Sequence, residues 1–219
     1  MVVALHFQDI NEARINSIVV KPPYERANTM NAWVRGNLRF TDTYGDDVVI
    51  TGPKLRVCFS GCRWNKIVFS EDAEGTFKQW LKQVGEYVER VIEASPDLFK
   101  PGAKTSARFT FDHEVVKPSS DPTKYPDEIR ARLSTHRIAL DDGTFQDIPD
   151  CIILKNDSED FVEPCDVAAG GYMIPILKLS YFRNLDRFGI VMTMLKALYE
   201  PPLETQTYRI SNGDWEISN

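Results

Sequence analysis

The chain has 219 residues, enough for one large domain or two small ones, and its 42% hydrophobic and 26% charged content is that of a globular protein with a real core. A formal charge of −6, from 26 basic and 32 acidic side chains, excludes a nucleic-acid coat driven by bulk charge and leaves room only for a local basic groove. The acidic excess lies wholly beyond residue 130, which excludes a uniformly basic face as well.

Taken in chain order, RINSIVVKP (14–22) predicts a strand, with Ile15, Ser17 and Val19 alternating with Asn16, Ile18 and Val20 until Pro22 and Pro23 end it. NAWVRGNLRFTD (31–42) and DVVITG (47–52) read as strands around the turn TYGDD. LRVCFSG (55–61) and NKIVFS (65–70) read as a further pair meeting near Gly61. The clearest element follows. Ser70, with Glu71 and Asp72 behind it, makes a helix N-terminus, and Phe77, Trp80, Leu81, Val84, Val88, Val91 and Ile92 form one apolar stripe. The spacing predicts a helix over 71–94, stopped by Ser95-Pro96, whose opposite face is charged and solvated.

Residues 96–130 carry five prolines and few periodic apolar positions, so they read as a long irregular connection in which ARFTFDHEV (107–115) forms a strand at most. After a short helical or extended stretch, RIALDDGTFQDI (137–148) predicts a hairpin turning at Asp141-Asp142-Gly143, and CIILK (151–155) one more strand. YMIPILKLSYF (172–182) and FGIVMTMLKALYEPP (188–202) close the series; β-branched Ile190, Val191 and Thr193 after Gly189 favour a strand in the second. Many short strands and one long amphipathic helix predict a mainly β (α+β) domain, a barrel with the helix on one end or side.

Several chemistries lack their anchors. There is no phosphate-binding loop, dinucleotide fingerprint or nucleophile elbow. His113, between Asp112 and Glu114, lies in a run whose neighbours point to opposite faces of a strand and do not converge on one ion. Cys58, Cys62, Cys151 and Cys165 lack zinc-ribbon spacing and read as ordinary thiols of a reducing, intracellular compartment. No metal, cofactor or catalytic residue is expected, and the protein reads as a non-enzyme. No apolar run reaches the roughly 18 residues that span a bilayer, and MVVALHFQDI does not have the form of a signal peptide.

The order helix, proline-rich connection, hairpin and GGYMIPILKLSYFRNLDRFGIVMTMLKALYEPP resembles the closing part of the single-stranded-DNA-binding proteins of large nucleocytoplasmic DNA viruses. These are similar in turn to the single-stranded-DNA-binding protein of short-tailed coliphages. The match is carried by Pro175-Ile176-Leu177, Tyr181-Phe182 and Phe188-Gly189-Ile190. The coliphage members end in a strongly acidic tail with an aromatic terminus; this chain ends NGDWEISN, which puts tail-mediated recruitment of replication partners in doubt.

The resemblance implies an OB-like barrel over 1–202 with the helix inserted and a C-terminal tail over 203–219. It implies sequence-independent binding of single-stranded DNA in replication or recombination, at a viral replication site in the host nucleus or cytoplasm. Replication proteins and a second copy of the chain are the further partners it leaves open. Bases would stack on exposed rings while Lys and Arg neutralise phosphates. The residues that combine both chemistries are Trp33, Arg35 and Arg39; Arg63, Trp64 and Lys66; and Lys178, Tyr181, Phe182, Arg183 and Arg187. Arg35 and Arg39 share a strand face with Trp33 in line, whereas Tyr181 and Phe182 alternate and are not both core. The alternative reading is a β-rich structural or protein-interaction module whose aromatics form an interface.

Overall fold

The computed structural model describes residues 4–21, 36–41, 46–61, 65–71, 75–95, 110–112, 115–158, 160–184, 187–202, 207–211 and 214–218. In chain order these hold β1 (Leu5–His6), a short helix α1 (Glu12–Ile15), β2 (Val19–Val20), β3 (Gly36–Thr41), β4 (Val49–Thr51), β5 (Leu55–Gly61) and β6 (Lys66–Ser70). The long helix α2 (Thr76–Ala94) precedes β7 (Thr110–Asp112), β8 (Val116–Lys117), β9 (Glu128–Leu133), β10 (Thr135–Ala139) and β11 (Phe145–Pro149). The rest is β12 (Ile152–Lys155), β13 (Tyr172–Asn184), β14 (Arg187–Glu200), β15 (Thr207–Ser211) and β16 (Asp214–Ser218).

Five strands close on themselves. β5 pairs antiparallel with β6, β6 with β9, β9 parallel with β14, and β14 antiparallel with β13, which returns antiparallel to β5. A ring of five strands in this Greek-key order is an OB-like barrel. The strands obey the two-residue period: Ile67 and Phe69 on β6, Ile129, Ala131 and Leu133 on β9, Leu177, Leu179 and Tyr181 on β13, and Met192 and Met194 on β14 join one buried cluster. β13 and β14 also run past the ring, pairing with β3, β4, β7 and β12. The late strands, the β10–β11 hairpin and the strand reading of 188–200 fall where the sequence predicts them.

The helix is shorter than 71–94. Ser70 is buried as the last residue of β6, and α2 begins at Thr76. The Glu71 carboxylate reaches forward to the first turn and accepts from Phe77 N–H (2.6 Å) and Lys78 N–H (2.9 Å), so the cap comes from five residues upstream. Phe77, Trp80, Leu81, Val84, Val88 and Ile92 bury the apolar stripe. Trp80 stacks on Phe77 at 5.9 Å and its indole N–H donates to the Ile10 carbonyl at 3.1 Å.

Three expectations need correction. Residues 14–22 are not one strand: Asn11 caps α1 by accepting from Arg14 N–H (3.1 Å), and Ile15 and Ile18 are buried at helical spacing before the short β2. The connection 96–130 contains the start of β9, a barrel strand. Within 203–219, β15 and β16 pair with each other antiparallel. Cys165 is disulfide-bonded, whereas Cys58 and Cys151 are free. The short 164–166 turn that carries it is tied to β5 by the Ser60 hydroxyl, which donates to the Pro164 carbonyl at 2.7 Å. Among the described residues no helix is long and apolar enough to cross a membrane.

Glu71→Ala should lower the unfolding free energy by about 1 kcal/mol, since two helix N–H groups lose their acceptor. Urea denaturation checks this, with a lowered midpoint and an unchanged slope as the expected result.

Candidate nucleic-acid interface

The outer face of the barrel is built by the residues between the core positions. Across four neighbouring strands the register places Lys66 (β6) opposite Arg132 (β9), Arg132 beside Thr193 (β14), and Thr193 opposite Lys178 (β13). One step along, Val68 stands opposite Arg130. Because their chain neighbours Ile67, Ala131, Leu133 and Leu179 are buried, these cations face outward. Lys66, Arg130, Arg132, Ile190, Val191 and Met192 line a groove of about 200 Å³ there.

The cations differ in their surroundings. Arg130 lies along the strand and donates to Glu128 Oε2 from Nη2 at 2.8 Å and from Nε at 3.2 Å. Lys178 is paired with Asp47 at 2.7 Å, both side chains less than a third exposed. Arg132 is exposed, and Lys66, half-buried, makes no ion pair among the described residues. The β6–β9 end of the band thus brings Lys66, Arg130 and Arg132 together at one groove, with Arg130 bound to Glu128.

A second, larger groove of about 470 Å³ runs between α2 and the β7–β8 side of the barrel. Asp127 stands at its edge, where it accepts from Ser119 N–H (3.1 Å) and pairs with Lys78 (3.4 Å). The Ser119 amide, then the Lys78 charge, hold its carboxyl below the ordinary aspartate value against a partial cost of burial.

Of the residues singled out in the sequence, Lys66 and Lys178 share this outer row. Tyr181 is fully buried: its ring stacks on Phe188 at 6.2 Å and its hydroxyl donates to the Lys21 carbonyl, so it offers no face to a base. The backbone of β3 runs against β13 with Arg39 opposite Ser180, Asn37 opposite Phe182 and Gly36 opposite Arg183, which joins the early and late candidate clusters in one sheet. The side chains of Arg39, Phe182, Arg183 and Arg187 are not among the described ones, and Trp33, Arg35, Arg63 and Trp64 lie outside the described residues altogether. By chain position Arg63 and Trp64 belong to the connection between the first two barrel strands, and Arg183 and Arg187 flank the one between β13 and β14. Those are the two loops through which OB barrels take oligonucleotides, together with the face of their second and third strands.

Arg130 and Arg132 are the residues that sequence reasoning missed. The signal was present in EIRARL (128–133), where Ile, Ala and Leu alternate strictly with charged residues, a period of two that marks a half-buried strand. The prolines before it masked the strand.

No protein-family model matches the chain, and no curated protein matches it. Among solved structures the chain is similar to gp2.5, a single-stranded DNA-binding protein encoded by bacteriophage T7, at 8% identity and a TM-score of 0.45, over 75% of this chain and 97% of that one. It is similar to the single-stranded DNA-binding protein from bacteriophage Enc34 at 12% identity and a TM-score of 0.41, over 90% of this chain and 98% of that one. The same phage protein in complex with single-stranded DNA matches at 12% identity and a TM-score of 0.42, over 84% and 97%. These are phage proteins, the second of the two groups that the sequence resemblance named beside large nucleocytoplasmic DNA viruses. Likenesses this distant give no residue correspondences, and the site rests on the strand register alone.

Tyr181→Phe should cost about 1 kcal/mol of stability through the lost hydroxyl bond, read from thermal or urea unfolding. Asp127→Asn should cost less than about 1 kcal/mol at neutral pH, because the Lys78 pair is partly exposed. A depressed carboxylate contributes above its unfolded pKa and is lost as pH falls through the folded one. The difference between wild type and Asp127→Asn should accordingly shrink as the pH falls below the ordinary aspartate value and vanish once the folded-state carboxyl is protonated, as unfolding measured from about pH 7 to about pH 2 would show.

Proposed function

We propose that the protein binds single-stranded DNA without sequence preference, laying the phosphates along the outer face of β6 and β9. The observation that carries this reading is the cross-strand register of Lys66, Arg130 and Arg132 beside a groove on the second and third strands of an OB-like barrel. The chemistry is non-covalent. Each phosphate met by a cation releases counterions, and apolar or aromatic surface next to that track stacks bases without discriminating among them.

Arg130 binds in exchange for its contact with Glu128; a half-exposed ion pair contributes little, so a phosphate replaces it at small cost. Lys178 is held by Asp47 and serves less as a phosphate ligand than as the end of the row. By chain position Arg63 and Trp64 belong to the connection between β5 and β6, and Arg183 and Arg187 flank the one between β13 and β14. Service in replication or recombination, where single strands are exposed, is the role this reading favours, with replication proteins as further partners.

A second reading, a protein-interaction module, is favoured by the β10–β11 hairpin. It forms a sheet of its own and leaves Phe145 67% exposed beside Arg137.

Titration of labelled oligo(dT) at two salt concentrations tests the first reading. Binding should weaken steeply with salt, and replacing Lys66, Arg130 and Arg132 together by alanine should lower affinity about tenfold or more and reduce the log–log salt slope by about 2. No binding by the wild type at low salt, or an unchanged slope in the folded variant, would refute it and leave the interaction module standing.

A further inference from the structure

The groove between α2 and the barrel is not needed for the phosphate track, yet it touches it. Val115 and Ile190 line both grooves. The reason lies in the barrel closure. β9 and β14 pair at Arg132/Thr193 and Leu133/Met194, and one step earlier the Arg130 N–H goes instead to the Val115 carbonyl at 2.9 Å. Val115 thus stands in the seam between the two strands, with the cationic groove on one side of it and the apolar groove on the other.

The larger groove has an apolar floor of Leu81, Phe111, Val115, Val116 and Ile190. Its α2 wall contains Gly85, buried in the middle of a 19-residue helix. A glycine there costs about 1 kcal/mol relative to alanine, and it removes a side chain at the point where one would stand in the groove. Lys78 and Lys82 lie on the same side of α2 at three- and seven-residue spacing from Gly85. Their stems cover apolar wall and their ammonium groups stay at the rim. Both have carboxylate neighbours, Asp127 at 3.4 Å and Glu86 at 3.8 Å, in pairs exposed enough to exchange for a phosphate.

We infer that this groove is a nucleobase subsite. Unpaired bases of the strand held on β6 and β9 turn past Val115 into the groove, against the Phe111 ring and the valine wall, and the flanking phosphates pass over Lys78 and Lys82. The inference rests on the single-strand reading above. Continuity with the cationic track, through the Val115 and Ile190 shared by both grooves, favours this occupant over an acyl chain or an apolar peptide, and the lysine rim matches its flanking phosphates. The volume is within the roughly 300–1,000 Å³ of small-molecule sites.

The test compares wild type and Gly85→Leu on oligo(dT) and on an abasic oligomer of equal length, which keeps the phosphates and lacks the bases. Wild type should bind oligo(dT) more tightly than the abasic strand. Gly85→Leu should lose about tenfold on oligo(dT) and nothing on the abasic strand. Failure of wild type to bind either strand refutes the single-strand reading itself. Wild-type binding with no loss in Gly85→Leu, or an equal loss on both strands, overturns the subsite alone. Loss of an apolar fluorescent probe from Gly85→Leu with oligo(dT) affinity intact would assign the groove to a lipid or peptide and also overturn it. Should Gly85→Leu fail to fold, Lys82→Glu on the exposed side of α2 decides: it should weaken both strands and lower the salt slope by about 1, and unchanged binding overturns the subsite.

Discussion

The β13–β14 hairpin is the interaction on which this fold depends. Its two strands, 13 and 14 residues long, close the barrel on β5 and β9 and then outrun it to gather β3, β4, β7 and β12. Pro175 removes one ladder donor near the start of β13, and the register slips just beyond it, between Ile176 and Leu177. That irregularity lies where β13 pairs on one side with β14 and on the other with β4, just past its pairing with β5. Closure on β9 is far slighter than the hairpin itself. Two register positions join it to β14, and Val115 occupies the gap where the strands part.

Strand alternation lets an acidic chain present a basic face. On β6 and β9 the inward positions are apolar without exception, so every charged side chain of these strands is driven to the same outer surface. Of the charged residues of these two strands only Glu128 is acidic, and four other carboxylates gather elsewhere, where Glu12, Glu86, Glu89 and Glu93 share a cleft between α1 and α2. Net charge of −6 is thus compatible with a local field of the opposite sign, because ions beyond about 8–10 Å are screened at ordinary salt.

Much of the fold was legible. The hairpin at 137–148, the paired strands around Gly61 and the long closing strands each carry a period of two bounded by turn residues, and those signals are local. The stripe from Phe77 to Ile92 is equally plain. Where reading failed, a local signal was outvoted by a distant partner. Ser70 looked like a cap, but the β6 ladder claimed it, and Glu71 reached over five residues to cap the helix in its place. Residues 14–20 alternate like a strand, yet burial of Ile15 and Ile18, next to a helix that Tyr87 ties to the Asn16 and Ile18 carbonyls, favoured a helical turn.

By itself the sequence determined the fold class, the single amphipathic helix, the position of the closing hairpin and the exclusion of a uniformly basic surface, since each follows from residue order and composition. Only the tertiary structure decided which cations belong together. Lys66 and Arg132 are 66 positions apart in the chain and become neighbours through the pairing of β6 with β9. It also decided that Tyr181 is a core ring, because the parity of a strand says which residues share a face and only the opposing layer says which face is covered.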